Sequence, residues 1–128
     1  MMEKLKNKTI LIADDDARNT FALRSYLESL DMKIVISENG QEVIAALQKG
    51  LKPDIILLDM MMPVMDGREF RAQQREDPSL REIPVVVLSA HADAASYAAQ
   101  MDAEGYLRKP IDLRALLETV ERFCARDG

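Results

Sequence analysis

The stretch ILIADDD, residues 10–16, decides the fold and locates a site. Its four leading apolar residues are typical of a strand that is buried on both faces of a parallel sheet. Three carboxylates follow without a gap, and neighbouring like charges at a protein surface repel by about 4 kcal/mol at close range. A bound cation would remove that cost. The stretch therefore predicts a buried strand that ends at a binding site.

Four more short runs rich in Ile, Val and Leu follow this one. Together the five runs predict strands at residues 9–13, 33–37, 54–58, 83–89 and 105–109, the last assigned mainly from its place in the series. Apolar residues at helical spacing between the runs predict helices at residues 17–30, 41–49, 67–76, 92–101 and 113–124. Three aspartates, Asp16, Asp66 and Asp112, are predicted to cap the first, third and fifth helices.

Strict alternation of strand and helix predicts an α/β fold with a parallel sheet and helices on both faces. For five strands the natural arrangement is the doubly wound, flavodoxin-like order 2-1-3-4-5. We expect one domain over residues 1–128, with a core of about residues 8–125. Ligands of such sheets bind beyond the carboxyl ends of the strands where the order reverses, here between the first and third strands.

Composition excludes several classes of function. The net charge of −5 argues against nucleic acid as the main partner. One cysteine, Cys124, and one histidine, His91, exclude a disulfide framework and a His-rich zinc site, and Cys124 is expected in the core. The sequence contains no signal peptide and no apolar run long enough to span a bilayer. We therefore predict a cytoplasmic protein without membrane insertion.

Polar side chains lie at the carboxyl ends of four predicted strands: Asp14 and Asp15, Asp59, Ser89, and Lys109. The three carboxylates and the lysine would share one crevice. Oxygen ligands select Mg²⁺ or Mn²⁺ over zinc. Because Mg²⁺ typically takes one or two carboxylates, one carboxylate would remain free to attack a phosphoryl group.

The features that carry a family resemblance are, in chain order, Asp14-Asp15, Asp59 within LLDMMMPVMDG, Ser89-Ala90, Tyr106 and Lys109-Pro110. Together they resemble the CheY-like receiver domain of two-component response regulators, over essentially the whole chain. The resemblance implies that Asp59 accepts a phosphoryl group from a histidine kinase or a histidine phosphotransfer domain. It also implies that Asp15, Asp59 and the backbone carbonyl of Met61 bind Mg²⁺, with Asp14 acting mainly through water.

The same resemblance assigns Lys109 to phosphate binding, followed by a cis bond to Pro110. It makes Ser89 and Tyr106 the switch residues. The switched face would consist of the helix predicted at 92–101, the strand at 105–109 and the helix at 113–124. A downstream protein or a second copy of the chain would bind this face.

Three longer runs, DDDARNTFAL, REDPSLREIPVVVLSAHA and YLRKPIDLRALL, are similar to receivers attached to hybrid sensor kinases or to small stand-alone receivers. One segment departs from the pattern. The span from Ser89 to Lys109 is slightly shorter than in well-known members, and Asp102 stands where a glycine commonly ends the fourth helix. His91, two residues after Ser89, is expected at the edge of the site.

Two other functions compete with that of a receiver. A phosphohydrolase with an aspartyl nucleophile would need a second aspartate two residues later as general acid, and that residue is Met61. A pseudo-receiver that is never phosphorylated would usually lack part of the acid set or the lysine, and this chain has both. We therefore expect a signalling domain that catalyses only its own phosphorylation and dephosphorylation.

Overall fold

The computed structural model describes residues 5–90 and 94–124. Strands and helices alternate as β1 (Thr9–Ala13), α1 (Ala17–Glu28), β2 (Lys33–Ser37), α2 (Gly40–Gln48), β3 (Ile55–Asp59), α3 (Gly67–Glu76), β4 (Val85–Ser89), α4 (Ala94–Gln100), β5 (Gly105–Arg108) and α5 (Leu113–Cys124). His91 and the predicted start of the fourth helix lie outside the described residues. Within those residues, every helix is too short or too polar to cross a bilayer.

All five strands are parallel and lie in the order β2-β1-β3-β4-β5, so the predicted fold is confirmed. β1 pairs with β2 on one side and with β3 on the other. The order of the strands therefore reverses between β1 and β3, and the crevice expected at a switch point opens at their carboxyl ends.

The sheet separates two apolar clusters. Ile10 and Ile12 of β1 pack in the cluster that contains side chains of α1 and α5. Leu11 and Ala13 pack in the other cluster, with side chains of α2, α3 and α4. Because successive residues of a strand point to opposite faces, both sets are buried. This explains why the strand sequence is continuously apolar.

The predicted caps are present. The Asp16 carboxylate accepts a hydrogen bond from the Arg18 N–H and begins α1. Asp66 and Glu69 form a reciprocal capping box that begins α3. Because these caps follow the strand-end loops closely, they fix the point at which the chain turns away from the crevice.

Several boundaries differ from the prediction. β4 begins at Val85, because Pro84 has no N–H to donate to the sheet. α1 ends at Glu28, and Asp31 with φ of 63° reverses the chain before β2. β3 includes Asp59, so the carboxylate is held by the last residue of a strand. Cys124 is buried, as expected.

Candidate functional site

Strand register brings the predicted polar residues to one edge of the sheet. Ala13 pairs with Leu58, so Asp14, the next residue after β1, lies beside Asp59 at the end of β3. On the other side, Ser89 at the end of β4 pairs with Arg108, and Lys109 follows directly. Parallel strands therefore collect residues from four positions in the chain into one crevice.

Three carboxylates form a compact acidic cluster. One oxygen from each of Asp14, Asp15 and Asp59 lies within 4.8 Å of the others. Asp14 and Asp59 are 1% and 5% exposed, whereas Asp15 is exposed. The cluster therefore has a buried floor and one carboxylate at its opening.

Asp14 is fully engaged by donors. Its Oδ1 accepts the Asp16 N–H at 2.9 Å, and its Oδ2 accepts the Asn19 side-chain amide at 2.7 Å. The Lys109 Nζ lies 2.9 Å from the same Oδ2. Burial alone would raise the pKa of Asp14, but these three donors outweigh it and hold the pKa below its usual value. Asp14 therefore carries a firmly fixed negative charge.

Lys109 connects the two buried carboxylates. Its Nζ lies 2.9 Å from Asp14 Oδ2 and 3.3 Å from Asp59 Oδ2. Burial would lower the lysine pKa, but the two carboxylates outweigh burial and raise the pKa above its usual value. The ammonium is therefore held in its charged form beside Asp59. The bond between Lys109 and Pro110 is cis, as the family resemblance implied.

The pKa of Asp59, unlike that of Asp14, is raised. Burial and the charge of Asp14 raise the pKa to about 6, although Lys109 and the Met61 N–H act in the opposite direction. The Met61 N–H donates to Asp59 Oδ1 at 3.3 Å, and the Lys109 Nζ is also 3.3 Å away. These contacts are longer than those to Asp14, so the Asp59 oxygens keep lone pairs for another partner.

The donor set fits a hard divalent cation. Carboxylate oxygens are the ligands that Mg²⁺ and Mn²⁺ prefer, and thiolate or imidazole groups are absent from the cluster among the described residues. A dication would offset the mutual repulsion of the three carboxylates, which Lys109 offsets in part. The acidic cluster is thus suited to Mg²⁺ or Mn²⁺.

β3, the strand that ends at Asp59, is in close contact with the start of α3. A Cβ atom added at Gly67 would lie 2.8 Å from the Asp59 carbonyl oxygen and 3.1 Å from the Met60 Cα. Because these neighbours are backbone atoms, a larger residue would displace the loop that holds the carboxylate. Glycine at this position therefore lets α3 begin directly beside Asp59.

The remaining predicted residues lie around this centre. Ser89 is 2% exposed, and its carbonyl accepts the Lys109 N–H at 2.9 Å. Tyr106 pairs with Val87 across the sheet, and its side chain is 47% exposed. The side chain of Met61 is 68% exposed, so any contribution to the crevice would come from its backbone.

Two features of the site region were missed by the sequence analysis. Asn19 donates to Asp14, and its position in the first turn of α1, just after the acidic run, was the signal for this contact. Arg71 is 5% exposed and donates to the Met101 carbonyl at 3.0 Å, beyond the end of α4. An arginine on a polar helix gives no sequence signal of burial.

Comparison with known proteins identifies the protein family to which the chain belongs. The family model of the response regulator receiver domain matches residues 10–121. The chain therefore belongs to the response regulator receiver domain family and is a receiver domain of two-component signalling, not a classical enzyme.

Individual relatives agree with this assignment. PilH of Pseudomonas aeruginosa is 30% identical over 118 residues, which cover 91% of this chain and 97% of PilH. ResD of Bacillus subtilis, a transcriptional regulatory protein, is 36% identical over 129 residues, but they are 51% of its length. Similar sequences thus occur both as small proteins and as parts of longer ones.

Solved structures share the fold. A putative response regulator from Chloroflexus aurantiacus has a TM-score of 0.85 and 28% identity, covering 94% of this chain and 100% of that one. The Mn²⁺-bound form of response regulator Rcp1 has a TM-score of 0.76 and 28% identity, with coverages of 94% and 96%. The phosphorylated cyanobacterial phytochrome response regulator RcpA has a TM-score of 0.78 and 29% identity, with coverages of 92% and 94%.

Proposed function

We propose that Asp59 is the residue that accepts the phosphoryl group. The observation that carries this assignment is the contrast between the two buried carboxylates. Asp14 accepts three short contacts, whereas Asp59 has two contacts of 3.3 Å and a raised pKa. A nucleophile needs an oxygen that is not already committed to strong donors. The phosphorylated state of RcpA is consistent with this chemistry in the family.

The transfer is a single displacement at phosphorus. An oxygen of the Asp59 carboxylate attacks the phosphoryl group of a phosphohistidine, and an acyl phosphate O–P bond forms. The N–P bond breaks, and the imidazole nitrogen leaves with the bonding electron pair. Lys109, which lies beside Asp59 Oδ2, stabilises negative charge on the phosphoryl oxygens. Ser89 is proposed to donate a hydrogen bond to the transferred phosphoryl group.

Asp15, Asp59 and the Met61 carbonyl would hold Mg²⁺, or Mn²⁺, with Asp14 acting through water. The bound ion supplies neutralisation of charge on the phosphoryl oxygens and the carboxylates. The acidic cluster of this chain and the Mn²⁺-bound state of Rcp1 support this assignment. Asp14 also holds Lys109 in place, and its contacts with Asp16, Asn19 and Lys109 explain why its part in metal binding is proposed to be indirect.

The phosphoryl donor is proposed to be a histidine kinase or a histidine phosphotransfer domain. A groove with a cavity of about 510 Å³ runs beside Lys109, and its lining includes Asn19 and the apolar side chains of Ile111 and Leu113. A donor that docks there would bring its phosphohistidine to the crevice. We further propose that residues 1–128 form one receiver domain with a core of about residues 8–125, that it works in the cytoplasm, and that it catalyses its own phosphorylation and dephosphorylation.

The output is proposed to appear on the face formed by α4, β5 and α5. If the phosphoryl group draws in the Ser89 hydroxyl, the loop after β4 moves towards the site. Tyr106, which is half exposed, would then turn towards the interior. A downstream protein or a second copy of the chain would read the altered face. This is a shift between two states that phosphorylation biases.

Incubation with acetyl phosphate and Mg²⁺ tests the proposed function. We expect a stable mass increase of one phosphoryl group per chain, which is lost in Asp59→Asn. Continuous turnover of added phosphoesters would indicate a hydrolase instead. No change in mass would indicate a pseudo-receiver. The exposed thioether side chain of Met61 argues against the hydrolase, because it has no proton to give.

A further inference from the structure

α4 is weakly anchored by apolar side chains. Its buried residues are Ala94 and Ala98, Tyr97 is partly buried against the core, and Met101 follows its last turn. Alanine removes little apolar surface from water, so burial contributes little to fixing this helix. Contacts with neighbouring elements must therefore decide where α4 rests.

Three arginines on α3, spaced about one turn apart, contact α4 and the residues after it. Arg68 lies against the exposed side of α4, Arg71 is buried under its end, and Arg75 lies 3.8 Å from the Asp102 carboxylate. α3 begins beside Asp59, as the close approach at Gly67 shows. The arginines therefore connect the helix next to the proposed acceptor with α4.

Arg71 fixes the end of α4 firmly. Its guanidinium donates to the carbonyls of Met101 and Asp102, and to the Gln74 side chain at 2.7 Å. Glu104 lies 3.9 Å from it and accepts the Val85 N–H at 2.7 Å, at the start of β4. Buried networks of this kind are costly to break, because a broken contact leaves a buried polar group without a partner.

Gln74 extends the same buried network. It is fully buried and donates to the carbonyls of Leu80 and Ile83, in the loop before β4. The residues after α4 are thus tied to α3 and to the start of β4. Any movement of α4 would have to turn about this end.

Arg68 makes weaker and more exposed contacts. Its Nη2 donates to Gln100 Oε1 at 3.2 Å, and its guanidinium carbon lies 5.1 Å from the centre of the Tyr97 ring. Tyr97 and Gln100 are three residues apart, so they share one face of α4. A turn or tilt of α4 would move both away from Arg68 together.

Space for such a movement exists next to Met60 and Met61, the two residues that follow Asp59. A cavity of about 270 Å³ is lined by Met60, Met61, Asp66, Arg68 and Tyr97. Two of these residues follow Asp59 directly, and two belong to the contact between α3 and α4. A shift of Met60 and Met61 caused by a change at Asp59 would therefore act directly on the contact between Arg68 and Tyr97.

We propose that Arg68 is a positioning residue that holds α4 in its unphosphorylated position, while Arg71 forms the fixed pivot. This inference rests on the proposed function, because it assumes that phosphorylation of Asp59 moves α4. Contacts that exist in one of two states bias the equilibrium towards that state. Loss of the Arg68 contacts therefore favours the phosphorylated conformation.

Binding of beryllofluoride in the presence of Mg²⁺, followed by NMR of the backbone amides, tests the inference. We expect Arg68→Ala to tighten apparent beryllofluoride binding by about five- to tenfold, the lower end of the effect expected from losing one hydrogen bond and one cation–π contact. Removal of a positive charge near the site would by itself weaken binding of an anion. A gain in affinity therefore separates the loss of the contact from simple electrostatics.

Gln100→Ala and Tyr97→Leu remove the partners without changing the charge, and each should tighten binding by a smaller factor. When Arg68→Ala is combined with the double variant Tyr97→Leu/Gln100→Ala, it should increase the affinity for beryllofluoride little further. Arg75→Ala is the matched control, because Arg75 is an exposed α3 arginine whose acidic contact is at the pivot end. The affinity of Arg75→Ala for beryllofluoride should stay within about twofold of the wild-type value, because an exposed ion pair contributes little energy.

Unchanged or weaker binding by Arg68→Ala, while wild type binds beryllofluoride, would overturn the positioning role and leave the proposed function intact. Failure of wild type itself to bind beryllofluoride, with behaviour identical to Asp59→Asn, would instead overturn the proposed function. The Arg68 inference would fall with it, because no phosphoryl-dependent state would exist for Arg68 to oppose.

Discussion

Asp14 and Lys109 form the shortest ion pair among residues 5–90 and 94–124, with 2.9 Å between Oδ2 and Nζ. The two opposite charges offset each other in the buried floor of the crevice. Asp59, 3.3 Å from the same ammonium, is left with a negative charge that burial and Asp14 both oppose. The arrangement holds the lysine in position and leaves the second carboxylate with fewer and longer contacts than Asp14 has.

Asp59→Asn is expected to stabilise the metal-free protein by about 1–3 kcal/mol near neutral pH, because it removes a buried charge whose pKa is raised. The folded-state pKa of about 6 lies above the usual 3.8, so ionised Asp59 opposes folding above about pH 6. As the pH falls through 6 towards 4, protonation relieves this penalty in wild type. The gain from the variant should therefore shrink over that range.

Urea unfolding in EDTA at about pH 7.5 and about pH 5 measures this difference. Asp16→Asn is the control, since Asp16 is exposed and asparagine retains the helix cap. A loss of stability in Asp59→Asn, or an equal gain at both pH values, would contradict the assigned electrostatics of the crevice.

Asp15→Ala should weaken Mg²⁺ binding more than Asp16→Ala does, because Asp15 is a proposed direct ligand. Asp16 caps α1 through the Arg18 N–H, so its loss should cost about 1 kcal/mol of stability and leave the metal site intact. Calorimetric Mg²⁺ titration of both variants gives the comparison. Equal losses of affinity would mean that the metal ligand has been assigned to the wrong member of the acidic run.

Gly67→Ala should lower both stability and the rate of phosphorylation. The added Cβ would meet the Asp59 carbonyl at 2.8 Å, and overpacking of this kind costs about 1–3 kcal/mol. Gly105→Ala is the matched control, because the nearest atom to its added Cβ is a Val86 methyl at 3.9 Å. Thermal unfolding and acetyl phosphate labelling of the two variants test the claim. Equal stability and equal labelling of the two variants would show that contact between α3 and β3, the strand that ends at Asp59, is unimportant.

The sequence predicted the central strands β1, β3 and β4 well because each is a continuous apolar run covered on both faces, whereas the edge strand β5 was assigned mainly from its place in the series. It also placed Asp14, Asp59 and Lys109 together, since strand ends of a parallel sheet share an edge. It could not show how those charges divide into a tight pair and a third group with raised pKa. That outcome depends on donor geometry, including the amide of Asn19.

The sequence could not reveal the connection between α3 and α4 either. Arg71 lies on a helix whose other residues are largely polar, and such an arginine is normally solvated. Its burial depends on the carbonyls of Met101 and Asp102, which become free where α4 ends. Asp102, with φ of 54°, takes just after α4 the left-handed conformation that glycine adopts most readily at helix ends.

Ser89→Ala should uncouple phosphorylation from the α4, β5 and α5 face. With beryllofluoride and Mg²⁺, we expect wild-type amide shifts to concentrate between Ser89 and Tyr106. In the variant, shifts near Asp59 should remain and those at Tyr106 should decrease. Identical responses of the two proteins would remove Ser89 from the switch.

Site mapping of the phosphoryl group tests the central claim most directly. After reaction with acetyl phosphate and Mg²⁺, peptide mass spectrometry of the wild-type chain should find the added group on Asp59 alone. Asp59→Asn, folded by circular dichroism, should show no added mass. Undiminished labelling of Asp59→Asn at another residue would contradict the assignment of Asp59 as the acceptor.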